Sequence, residues 1–227
     1  MSDLDLIHTT LPSKPGFILD FERAVAAHKM KYPAVFRPVM STKLGSTRVE
    51  LWFSPRKLPL LLHADCMIVP VGQDLRMVFG SAKLARDYTA GQIQREALKV
   101  APMAPGEAFA GSGGKYRFKH TGLAVIFDRQ KRTSAGIIRK AVRNAIGKCY
   151  ELGARTVLLP DFSENLISQP NWISPKKKID SITTYAAILM ESVRDCKDTV
   201  RAVRIWVWDP DALPVYIAEM QRLGAEL

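Results

Sequence analysis

The chain has 227 residues, of which 47% are apolar, and a formal net charge of +11 at pH 7. That length suits one large domain or a domain with an extension, and the charge favours polyanionic partners such as nucleic acid, nucleotides or phosphorylated protein. No apolar run is long enough to span a bilayer, and neither the cysteines nor the histidines show metal-ligand spacing.

Cys66, Cys149 and Cys196 are odd in number and far apart, which suits buried thiols in a reducing compartment. Met1–Leu6 is acidic and lacks the basic-then-apolar pattern of a secretory leader, so the expected location is the cytoplasm. Basic residues cluster at Lys115–His120, Arg129–Arg132 and Lys176–Lys178. Each cluster reads first as a solvated loop and second as a binding patch.

Residues 1 to 45 read as an N-terminal extension. Thr9–Gly16 carries two prolines and a glycine and is a loop. Phe17–Met30 has helical spacing of Phe17, Phe21, Ala24, Val25 and His28, and Pro33 and Pro38 break the stretch after it. Residues 46–227 read as the main domain. Thr47–Phe53 alternates and is rich in strand formers. The apolar run Leu60–Leu62 and Cys66–Val71 predicts a strand buried on both faces, leaving the sheet at Pro70 and Gly72. A loop to Gly80 leads to a helix from Ser81 to Gly91, with Ala82, Leu84, Ala85 and Tyr88 inward. Strand, glycine-bearing loop and helix N-terminus together make a generic phosphate cradle.

Gln92–Val100 continues as helix with Ile93, Ala97 and Leu98 inward. Glu107–Ala110 is a short strand and Gly111–Gly114 a tight turn. Leu123–Phe127 is a second buried strand. Ser134 is a candidate N-cap for a helix whose stripe is Ile137, Ile138, Ala141, Val142, Ala145, Ile146 and Cys149. Gly153 ends that helix, and Thr156–Leu159 is a strand stopped by Pro160. Asp161–Asp180 is a long polar loop, Ser181–Val193 a helix, Val203–Trp208 a strand and Asp211–Leu223 a closing helix. This alternation predicts a three-layer α/β/α domain with a mixed, mostly parallel sheet.

Several pieces, in order, resemble the macro domain, the ADP-ribose-binding α/β fold. D-C-M-I-V-P (Asp65–Pro70) is similar to its key strand, and L-x-x-x-x-G-x-A (Leu75–Ala82) to the loop after it. A-G-x-x-I-x-x-E-A (Ala90–Ala97), P-G-E-A (Pro105–Ala108) and L-A-V-I-F (Leu123–Phe127) come next, in the family's order. The closest piece is R-x-A-x-R-N-A-I-x-K-C-Y-E-L-G-A-R-T-V-L-L-P (Arg139–Pro160). The resemblance covers residues 47 to 225.

It implies a nucleotide site made by Val71, Gly72, Gly80, Ser81, Ala82, Ser163 and Trp208, with Trp208 stacking on adenine. The chain departs from the pattern elsewhere. Loop Ser54–Leu58 has no carboxylate for the adenine amino group, and Gly72 stands where hydrolytic members carry asparagine. Val78-Phe79-Gly80 replaces a glycine triplet, so bulky side chains would fill the distal ribose space. Glu164 puts a negative charge where a diphosphate would sit.

The reading is therefore a module that binds ADP-ribose or a related nucleotide, with no catalytic residue, cofactor or metal assigned. The other reading is a degenerate macro fold that binds RNA, another polyanion or a protein through its basic surface, with Trp172 and Lys176–Lys178 as RNA contacts. Asp74, Glu107 and Asp161 are loop carboxylates near predicted strand ends, and a third reading is an unconventional hydrolase that requires Asp74 or Glu107. No membrane contact is expected, and the oligomeric state is left open.

Overall fold

The computed structural model describes residues 37–53, 63–114, 118–163 and 175–225. The expected helix at Phe17–Met30, the loop Ser54–Leu58, Glu164 and Trp172 lie outside them.

Seven strands and five helices alternate along the described residues. They are β1 (Met40–Leu44), β2 (Thr47–Phe53), β3 (Cys66–Gly72), α1 (Gly80–Tyr88), α2 (Gln92–Ala97), β4 (Ala108–Ser112) and β5 (His120–Phe127). After these come α3 (Ala135–Glu151), β6 (Thr156–Pro160), α4 (Pro175–Arg194), β7 (Ala202–Val207) and α5 (Leu213–Ala225). The sheet order is β1-β2-β7-β6-β3-β5-β4. Strands β2, β7, β6, β3 and β5 pair in parallel, and β1 and β4 pair antiparallel at the two edges. This is the expected mixed, mostly parallel sheet.

The parallel strands β3 and β6 are buried along nearly their whole length, as their unbroken apolar sequences require. One face packs on α3, α4 and α5 through Ile138, Ala145, Leu189 and Tyr216. The other packs on α1 and α2 through Ala82, Ala85, Ile93 and Ala97, with Leu75 and Met77 from the loop after β3. All three cysteines are buried and unpaired.

Several boundaries differ from the sequence reading. Strand β1 lies inside the expected extension and is hydrogen-bonded to β2 from Met40↔Leu51 to Leu44↔Thr47. Pro70 does not end the key strand but sits within it opposite Ala124. Gly91, at φ +75°, separates two helices instead of ending one. Leu98 faces out at 45% exposure, because α2 stops at Ala97. Gly111 and Ser112 belong to β4 and not to a turn, and α4 begins at Pro175, inside the expected polar loop. Proline is tolerated in a first helical turn, where its missing N–H has no partner to lose. Ser134 caps α3 as expected, its Oγ accepting the Ile137 N–H at 3.3 Å.

Candidate functional site

The sheet topology fixes where a ligand can sit. The chain leaving β3 runs to α1 on one face, whereas the chains leaving β5 and β6 run to α3 and α4 on the other. Connections that part in opposite directions leave a crevice at the carboxyl ends of the strands. A cavity of about 490 Å³ opens at this switch point, between the ends of β3 and β5. Its floor and walls are Pro70, Val71, Gly72 and Phe127. The loop after β3 adds Gln73, Asp74, Arg76, Val78 and Phe79, α1 adds Ala82, and the turn after β5 adds Asp128, Arg129 and Lys131.

Both walls are held by hydrogen bonds. Gln73 N–H donates to Phe127 O at 3.0 Å, joining the base of one loop to the base of the other. Leu75 N–H donates to Gly72 O, Arg76 N–H to Asp74 Oδ1 at 3.2 Å, and Met77 N–H to Gln94 Oε1 at 3.1 Å. Across the cavity the Asp128 carboxylate accepts from Arg132 N–H at 2.8 Å and Arg132 Nε at 2.7 Å. These bonds, led by the one from the Arg132 backbone, hold the Asp128 carboxyl below the usual range. Asp128 is thus held ionised and ion-paired with Arg132 within its own turn. Arg76, Arg129 and Lys131 make no ion pair among the described residues, so the cavity rim is positive.

Helix α1 begins at the same place. Its N-cap is Phe79, which offers no side-chain acceptor, so the first-turn N–H groups of Gly80, Ser81 and Ala82 have no cap. Gly80 takes φ +52°, which is open to glycine and strained for other residues. The Ser81 hydroxyl is buried and has no partner among the described residues.

The expected site residues divide into two groups. Val71, Gly72 and Ala82 line the cavity, and Gly80 and Ser81 form the first turn of α1 beside it. Ser163 and Trp208 are elsewhere. Ser163 is buried at the end of β6, donating its N–H to Asp161 Oδ1 at 2.9 Å and its hydroxyl to Asp161 Oδ2 at 2.6 Å. Trp208 is half-buried against Trp206, with ring centroids 4.6 Å apart and planes tilted by 53°. Val78 and Phe79, expected to fill the distal ribose space, lie at the cavity. They are 45% and 63% exposed and border an open cavity.

The three carboxylates considered as catalysts are also placed. Asp74 lines the cavity. Glu107 accepts the Ala104 N–H at 2.9 Å on its own loop. Asp161 is sealed in the interior, where it also accepts the Tyr216 hydroxyl at 2.7 Å. Burial pushes its pKa up against the opposing hydrogen bonds from Ser163 and Tyr216. Sequence reading missed the cavity's far wall, Phe127 to Lys131. The signal for it was the Arg129–Arg132 cluster standing directly after a buried strand. No group of histidine, cysteine and carboxylate side chains among the described residues could hold a metal ion, and no described helix is long and apolar enough to cross a membrane.

A parallel-centred sheet between helical layers, with a crevice at its carboxyl edge, defines a three-layer α/β/α fold. Its solved counterparts are macrodomains. The Oceanobacillus iheyensis macrodomain with ADP superposes with a TM-score of 0.65 at 14% identity, over 83% of this chain and 97% of that one. The same protein with MES bound gives 0.65 at 12% identity, over 83% and 98%. The Trypanosoma brucei macrodomain in complex with ADP-ribose gives 0.61 at 13% identity, over 79% and 72%. This chain has the macrodomain fold. No protein-family model and no curated protein matches its sequence.

Proposed function

We propose that this protein binds ADP-ribose or a related nucleotide at the carboxyl end of β3 and does not turn it over. The observation that carries the reading is the uncapped first turn of α1 at the edge of the cavity. Free N–H groups and the helix dipole favour a diphosphate there, and Arg76, Arg129 and Lys131 add charge of the right sign. The macrodomains of the same fold, solved with ADP or ADP-ribose, support the choice of nucleotide. Binding without hydrolysis is favoured because Gly72 lacks the asparagine side chain of hydrolytic members and Asp161 is sealed away from the cavity.

The test is isothermal titration with ADP-ribose, using the parent protein and Phe79→Asp. Phe79 has φ −133° and ψ 159°, the extended geometry that suits an aspartate N-cap. The new carboxylate would cap the N–H groups that a diphosphate needs. Losing one charge-assisted bond, about 1.5–3 kcal/mol, weakens binding roughly 10- to 150-fold. Micromolar binding lost in a variant that stays folded supports the reading. No heat from the parent at high protein concentration, or full affinity in Phe79→Asp, overturns it.

A further inference from the structure

We infer that the rim of the β3–β5 cavity is a docking surface for single-stranded nucleic acid, with Phe79 as the base-stacking platform and Arg76, Arg129 and Lys131 as phosphate contacts. Phe79 is 63% exposed, the most exposed large apolar side chain among the described residues. A solvated aromatic ring at a helix N-cap packs no core. It lines the same cavity as the three cations. Two carboxylates line the cavity with them, Asp74 and Asp128, and the second is ion-paired with Arg132.

The loops that carry these cations are built and not merely solvated. Leu75, next to Arg76, has φ +55°, and Lys131 has φ +59°. Each is a non-glycine residue in the left-handed region, at a cost of about 1–2 kcal/mol. Buried Leu75 anchors the first loop. The bonds Asp128 N–H to Arg132 O and Lys131 N–H to Asp128 O close the second. Both loops line the cavity.

Cations alone would serve any acidic partner. The exposed ring selects one that carries planar groups, since every base offers a face for stacking. The cavity is of nucleotide size. A base entering a concave rim to reach Phe79 must be free of a pairing partner, which selects a single strand over a duplex. The positive balance of the whole chain, +11, suits the same partner.

The experiment is fluorescence polarisation of a labelled single strand of roughly ten nucleotides, within the site size of one domain. The salt dependence should give a slope of log affinity against log salt near −2, about 0.7 for each of three phosphate contacts. Replacing Arg129 by Ala should reduce that slope by about 0.7. Lys131→Gly should do the same, and it keeps the turn folded because glycine suits φ +59°. Phe79→Ala should lower affinity about 5- to 150-fold at an unchanged slope. Absence of binding at low salt overturns the inference, as does a slope indifferent to both cation variants. Equal binding of the matching duplex, or equal competition by poly-glutamate, also overturns it. The nucleotide reading shares the cavity but fails separately. If ADP-ribose gives heat and the strand does not bind, only this inference falls. If the strand binds and ADP-ribose does not, only the nucleotide reading falls.

Discussion

Tyr216→Phe isolates a single interaction at the end of β6. The Tyr216 hydroxyl is buried and donates to Asp161 Oδ1 at 2.7 Å. The other two donors to that carboxylate are both from Ser163, and no cation among the described residues pairs with it. Burial raises the Asp161 pKa above 3.8 in the folded protein. A raised folded pKa means the proton binds the folded state more tightly. Stability from this group is therefore full below about 3.8 and is lost as pH rises through the folded value. Removing the hydroxyl withdraws a bond that favours the ionised form, so the folded pKa of Asp161 rises further in the variant. The substitution should cost about 1.5–3 kcal/mol where Asp161 is ionised and about 0.5–1.5 kcal/mol where it is protonated. Urea denaturation at a low and a high pH, followed by tryptophan fluorescence, reads the difference as a loss that is larger at the higher pH. Equal losses at the two values, or a larger one at the lower, would refute the reasoning.

Two further substitutions probe the helix ends. Ser134→Ala removes the Oγ that accepts the Ile137 N–H. It should destabilise the protein by about 0.5–2 kcal/mol in urea denaturation and leave ADP-ribose affinity unchanged. Gly80→Ala places a side chain at φ +52°. The expected cost is about 1–2 kcal/mol, together with weaker ADP-ribose binding by titration, because relief of the strain moves the first turn of α1.

The elements that are legible in the sequence are those specified locally. The apolar runs of β3 and β6, the stripe of α3 and its Ser134 cap all depend on residues within a few positions of one another. Strand β1 is not legible. Met40–Leu44 comes after two prolines and alternates between exposed and partly buried positions, and only its ladder with β2 makes it a strand. The candidate site divides along the same line. Gly72, Gly80 and Ala82 belong to one strand–loop–helix unit and can be read from it. Arg129 and Lys131 reach the cavity only because β5 lies beside β3 in the sheet, which no local pattern states. The place of Ser163 is hidden for the same reason. Its hydroxyl is taken by Asp161, which is itself held by Tyr216, 55 residues further along the chain.

Two departures of this chain from the macro-domain pattern meet at the cavity. Gly72 removes an amide side chain at the end of β3, and Val78 and Phe79 replace glycines where the backbone would approach the distal ribose. Each change weakens what would act on the sugar. Neither touches the helix end, because the first turn of α1 stays uncapped and the only left-handed residue at its start is still glycine. Phenylalanine at the N-cap is decisive here. Aspartate, serine or threonine would occupy the first-turn N–H groups, whereas Phe79 leaves them open and sends an apolar ring to the rim. A site selected to cleave a sugar bond would gain nothing from that ring. A site that grips an anion beside a base would gain both the open helix end and the stacking face.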